Sequence, residues 1–227
     1  MNQLAIDSSC LILSVALSSE NEVFYIESDT EMKHSDLVMD YIDSLIKQAG
    51  IKQNEIDCVL CMSGPGSFTG LRIGYSVAKG LALSLSIKFI AVPTLDCIAF
   101  KENDYTIAAI ESKKDSYYNA FYNNGVRITE DCDETPNAII KKIESLNIPK
   151  EKKIILKGPG SIKLYESLPE FYIKRITLNP QKKSYAKEII SLAINNKLYE
   201  KNNNEFLYNG PNYIRLPDAQ AALPKPE

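Results

Sequence analysis

The chain has 227 residues, long enough for one domain or two small ones with a substantial buried core. Its 26 Lys and Arg against 29 Asp and Glu leave a net charge of −3, so no basic excess marks a nucleic-acid or membrane binder. The N-terminus runs at once into Gln3-Leu4-Ala5-Ile6-Asp7, with no basic and then apolar leader and no apolar run of membrane-spanning length, so a cytoplasmic protein is expected.

Apolar runs and their periods predict strands over 4–7, 11–17 and 23–26, a helix over 35–49, a strand over 56–62, a helix over 67–86, a strand over 89–92 and a short helix over 95–100. The order then repeats. Strands are predicted over 106–110, 117–122 and 126–129, a helix over 136–145, a strand over 154–156, a helix over 162–168, a strand over 173–178 and a helix over 184–195. Each half reads βββαβαβα. Two echoes fall in register: Ala5-Ile6-Asp7-Ser8 with Ala109-Ile110-Glu111-Ser112, and Gly64-Pro65-Gly66-Ser67 with Gly158-Pro159-Gly160-Ser161. A duplicated α/β architecture follows, with domains over 1–103 and 104–227 joined at Lys101-Glu102-Asn103-Asp104. From about residue 200, Asn and then Pro accumulate, which reads as an irregular tail.

Metal and redox chemistry find little support. Five cysteines, an odd number, point to free buried thiols, and Cys58 and Cys61 fall in a strand where their spacing sends the sulfurs to opposite faces. His34 is the only histidine, so no paired-histidine metal site can form from this chain. Nor does any Ser-His-Asp or Cys-His grouping stand out, and Asp96 and Asp115 have no local partner that marks an acid or base.

The turn Ser63-Gly64-Pro65-Gly66-Ser67-Phe68-Thr69-Gly70-Leu71-Arg72-Ile73-Gly74 joins a strand to a helix that Ser67 or Thr69 can cap, and its free N–H groups could face a phosphate. It lacks the Gly-Lys-Ser/Thr of a Walker A loop and breaks the Rossmann pattern at Thr69. Asp7-Ser8-Ser9 resembles the phosphate-facing turn of actin-like kinases, while an ordinary Asx turn explains the same residues. Asp7, Ser8, Ser67 and Thr69 are therefore the candidate phosphate or nucleotide contacts. In the helix over 67–86, Gly70, Gly74, Ala78, Ala82 and Ser86 recur every four residues, a stripe that admits close packing. Two interior glycines cost about 1 kcal/mol each, which something must offset. The helix over 35–49 carries an apolar face of Leu37, Val38, Tyr41, Ile42, Leu45, Ile46 and Ala49 opposite Asp36, Asp40, Asp43 and Lys47.

Ala5-Ile6-Asp7-Ser8-Ser9, His34-Ser35-Asp36-Leu37, the stretch Ser63 to Lys79, Ile110-Glu111-Ser112 with Tyr117-Tyr118, Gly158-Pro159-Gly160 and Pro211-Asn212-Tyr213-Ile214-Arg215 together resemble the bacterial TsaB (YeaZ) family. The resemblance implies an actin-like (ASKHA) fold of two similar domains with a cleft between them. It also implies a role in making threonylcarbamoyladenosine beside the tRNA anticodon, as the non-catalytic partner of a TsaD-like catalytic subunit with a TsaE-like ATPase. The partner contact implied by the family falls on the helices over 35–49 and 67–86, with Leu37, Tyr41, Leu45, Gly70, Arg72, Gly74 and Ala78 as its expected residues. A homodimer through the same surface is a further expectation, as are access to tRNA through the complex, no contact with membrane, and no cofactor beyond weak nucleotide binding. Ser8 stands where the family commonly has threonine, and Glu111-Ser112-Lys113 where it tends to an Asp-Ala-Arg turn, which weakens the case for a nucleotide in the cleft. The alternatives are an actin-like ATPase or small-molecule kinase that needs Asp7, and a peptidase, for which the residues offer no nucleophile or metal site. Lys113-Lys114, Lys152-Lys153 and Lys182-Lys183 are candidate phosphate contacts or simply solvated pairs.

Overall fold

The computed structural model describes residues 1–28, 33–180, 184–200 and 208–215. Its first half comprises β1 (Gln3–Asp7), β2 (Ser14–Ser19), β3 (Glu22–Glu27), α1 (His34–Ala49), β4 (Cys58–Gly64), α2 (Phe68–Leu85), β5 (Lys88–Pro93) and α3 (Thr94–Ala99). The second comprises β6 (Tyr105–Lys113), β7 (Ser116–Asn123), β8 (Val126–Arg127), β9 (Cys132–Glu134), α4 (Pro136–Ser145), β10 (Ile154–Lys157), α5 (Ser161–Glu166), α6 (Glu170–Ile173), β11 (Ile176–Asn179) and α7 (Ala186–Asn195).

The two sheets run β3-β2-β1-β4-β5 and β8-β7-β6-β10-β11, so the predicted repeat is present strand for strand. In each, the first two pairings are antiparallel and the last two parallel. The differences from the predicted elements have local causes. β2 begins at Ser14, not residue 11, because the Ser9 amide and hydroxyl both bond the Asp7 carboxylate and turn the chain. β8 stops after two residues, and the unpredicted β9 takes over the pairing with β7. Pro169 opens the unpredicted α6, which runs into the first residue of the strand expected over 173–178, so β11 begins only at Ile176.

Strand alternation sorts the apolar residues into layers. Leu4, Ile6, Val59 and Cys61 face α1 and α2 on one side of the first sheet, while Ala5, Leu60, Met62 and Cys58 face the middle of the molecule. The two cysteine sulfurs therefore belong to different cores, as the period-two reading requires. α4 and α5 cover the outer face of the second sheet, with Ile107, Phe121 and Leu156 beneath them. α3 and α7 fill the space between the sheets. α7 follows the second half in sequence yet packs on β1, β2 and β4 of the first sheet, while α3 packs on β6 and β7 of the second.

Candidate functional site

The turn that opens α2 is built against the end of β1. The Ser67 amide donates to the Ser9 carbonyl at 2.7 Å, and the Ser67 hydroxyl caps the helix by accepting from the Gly70 amide. Gly64 has φ 107° and the Gly64-Pro65 bond is cis. A Cβ at Gly66 would lie 2.4 Å from the Ser9 carbonyl oxygen, so this backbone passes where a side chain cannot fit. The second Gly-Pro-Gly turn makes the same approach: a Cβ at Gly160 would lie 2.7 Å from the Glu111 nitrogen.

The small stripe of α2 serves this chain's own sheet. A Cβ at Gly70 would sit 1.9 Å from the Ser8 carbonyl oxygen, and one at Gly74 would sit 2.4 Å from the Ser8 hydroxyl. That hydroxyl instead donates to the Gly70 carbonyl at 2.7 Å. Close helix–strand packing is what offsets the glycine cost. Gly70, Gly74, Ala78 and, on α1, Leu45 are buried within the chain, which corrects their assignment as surface residues offered to a partner. Leu37 and Tyr41 are half-buried, and Arg72 is exposed.

The outward face of α2 lies half a turn away. Thr69, Ser76, Gly80 and Leu83 are exposed there, with Ile73 and Val77 half-buried beside them. Arg72 is exposed at the edge of this face, and a Cβ at Gly80 would meet nothing within 4 Å. The helical phase of this face, opposite to Leu71, Tyr75 and Ala78, was the available signal for it.

Asp7 is fully buried. Its Oδ1 accepts from the Ser9 amide at 3.0 Å and the Ser9 hydroxyl at 2.6 Å, and its Oδ2 accepts from the Tyr185 amide at 2.8 Å. α7 has no side-chain cap of its own, so Asp7, with Ser14 bonding the Ala186 amide at 3.3 Å, takes up donors at its N-terminus from another element. Burial raises the Asp7 carboxyl above its ordinary value while the Ser9 and Tyr185 donors pull it back. Ser8 is likewise internal. These positions correct the reading of Asp7 and Ser8 as phosphate contacts, because both spend their polar atoms on the fold.

Between the halves lies a cavity of about 690 Å³, rimmed by Ser9, Cys10, Ser67, Lys113, Lys114 and Gly158. Of the four predicted phosphate contacts only Ser67 reaches it; Thr69 is exposed on α2. Lys182-Lys183 lie outside the described residues. Burial pushes the Cys10 thiol up to about 12, which disfavours its thiolate at neutral pH. Asp96 accepts from Arg127 Nη2 at 2.6 Å and from the Tyr122 hydroxyl at 2.8 Å, pinning α3 to the second sheet rather than serving as an acid. Among the described residues no group of three or more His, Cys, Asp or Glu could hold a metal, and no helix is long and apolar enough to cross a membrane.

Comparison with known proteins agrees with this architecture. The family model described as "TsaD: tRNA N6-adenosine threonylcarbamoyltransferase" matches residues 27–223. The tRNA threonylcarbamoyladenosine biosynthesis protein TsaB of Buchnera aphidicola subsp. Schizaphis graminum is 30% identical over 163 residues, 69% of this chain and 78% of that relative. TsaB of Haemophilus influenzae is also 30% identical, over 120 residues, so the match spans about half (51%) of each chain. The solved structure of YeaZ from Pseudomonas aeruginosa superimposes with a TM-score of 0.71 at 25% identity, covering 85% of this chain and 90% of that one. With the repeated strand order, these matches identify the fold as actin-like, and the chain belongs to the TsaB (YeaZ) family within the wider TsaD-type family.

Proposed function

We propose that this chain acts in the biosynthesis of threonylcarbamoyladenosine in tRNA, as a non-catalytic cytoplasmic subunit that binds a TsaD-like catalytic protein, with a TsaE-like ATPase joining the complex. The observation that carries the non-catalytic reading is the commitment of Asp7. A carboxylate that served metal-bound phosphates would need an oxygen facing the cleft, whereas both Asp7 oxygens accept bonds from this chain's own groups. The partner surface is the half-buried flank of α1 at Leu37 and Tyr41, together with Arg72, Ile73, Ser76, Gly80 and Leu83 on the outer face of α2. Thr69, Ser76 and Gly80 are small and uncharged, which lets a partner helix approach closely beside Arg72, and an interface of roughly 1,600 Å² in total would be of ordinary size. The same face would pair two copies when the catalytic partner is absent. tRNA is then reached through the complex.

Affinity capture of the tagged protein from its own cell extract, followed by mass spectrometry, should recover a TsaD-like protein near one-to-one. Capture of none from an extract shown to contain it would overturn the pairing. Gly80→Arg should abolish capture without lowering thermal stability, because this position opens to solvent. The cavity between the halves favours a second reading, a self-sufficient ATPase or small-molecule kinase, since Lys113 and Lys114 stand at its rim. Saturable Mg-ATP binding with turnover by the isolated protein would support that reading against ours.

A further inference from the structure

Residues 208–215 lie along one flank of α2 and run antiparallel to it. Lys79 Nζ donates to the Asn209 carbonyl, the Asn212 amide donates to the Ser63 carbonyl at 2.6 Å, and the Tyr213 ring lies 4.6 Å from that of Phe68. A Cβ at Gly64 would lie 2.5 Å from the Asn212 carbonyl oxygen, so the turn is shaped to admit this strap.

Arg72 stands between these anchors. Its guanidinium carbon lies 3.9 Å from the Phe68 ring centroid, and its Nε donates to the Tyr213 hydroxyl at 3.2 Å. Stacking and a bonded Nε fix the group's plane, and among the described residues neither terminal nitrogen is bonded. Arg127 offers a contrast, since its terminal nitrogens meet Asp96 and Asp131. Among the described residues, no carboxylate lies within ion-pair distance of Arg72.

We infer that Phe68, Tyr213 and the 208–215 strap hold Arg72 as a preset receptor for one carboxylate, and that the partner docked on α2 presents an Asp or Glu side chain to it. This rests on the partner reading above. A guanidinium already held in one orientation loses less freedom on binding, and its planar pair of N–H donors matches a carboxylate. An RNA backbone is disfavoured as the occupant. It would need several cations together, whereas Thr69, Ile73 and Ser76 around Arg72 are neutral and the Lys79 ammonium is engaged by Asn209. Tyr213 is in this scheme a positioning residue, acting through Arg72.

Binding of the TsaD-like protein from the same cells would be measured by titration calorimetry at low and high salt. Arg72→Gln should weaken binding about tenfold and flatten its salt dependence. Tyr213→Phe, which keeps the ring and loses the hydroxyl, should weaken binding a few-fold, and Tyr213→Ala more. In the Arg72→Gln background neither Tyr213 change should have a further effect, because the two residues act as one unit. Wild-type affinity and salt slope in Arg72→Gln would overturn the inference while leaving the partner reading intact. An equal loss from Tyr213→Phe with and without Arg72 would overturn the positioning role. No binding by the wild-type protein would overturn both.

Discussion

A methyl group added at Gly70 would lie 1.9 Å from the Ser8 carbonyl oxygen, whereas one added at Gly80 would meet nothing within 4 Å. Gly70→Ala must therefore push α2 off β1, with an expected loss of more than about 2 kcal/mol. Gly80→Ala removes only the flexibility of an exposed helical glycine and should stabilise the protein by about 0.5–1 kcal/mol. Urea unfolding of the two variants decides both values. At Asp7, burial raises the native pKa above the unfolded value, so the folded state holds the proton more tightly than the unfolded one. The stability this lends is complete below the unfolded pKa, near pH 4, and is lost as pH rises through the native value. Between about pH 4 and about pH 7, the stability advantage of wild type over Asp7→Asn should shrink; an advantage that grew would mean the three donors outweigh burial. Cys10 and Cys58, both with thiols pushed up to about 12 by burial, should resist iodoacetamide at pH near 8 in the native protein and react once it is unfolded.

α2 was legible as a helix from its apolar period and its Ser67 cap, but not in which face it keeps. The small stripe and the large apolar stripe lie side by side in phase, and either could have met a partner. Contacts with Ser8 and Cys61, more than ten residues back along the chain, decide that the small stripe turns inward. α7 makes the same point more strongly. Its apolar face of Ala186, Ile189, Ile190 and Ala193 is plain in sequence, yet its amide donors are taken by Asp7 and Ser14, over 170 residues away. Ile189→Ala opens a void in the central core and should cost about 2–5 kcal/mol. Because α7 joins both halves, chemical unfolding of this variant should remain a single transition by fluorescence and by circular dichroism. β9, too short and polar to show a period, exists only because β7 continues past the end of β8.

At the scale of the molecule, the two halves share one central core. A fragment ending at residue 103 would keep β1 to β5 but leave Ala5, Ala16, Leu60 and Met62 uncovered where α7 belongs. Such a fragment should bind an apolar dye and lack fixed tertiary signals by near-ultraviolet circular dichroism, whereas the whole chain should do neither. The sequence by itself determined the repeated order of the main strands and helices, though not β9 or α6, and with it the duplication, the opposite faces of Cys58 and Cys61, and the absence of a histidine pair. These depend on local periodicity and composition, which every strand and helix carries within itself. Only the tertiary structure decided that Asp7 caps a distant helix, that Gly70 and Gly74 face their own sheet, and that Tyr213 holds Arg72. Each of those outcomes depends on which apolar or polar surface the chain brings opposite another, and that pairing joins residues whose separation leaves no local trace.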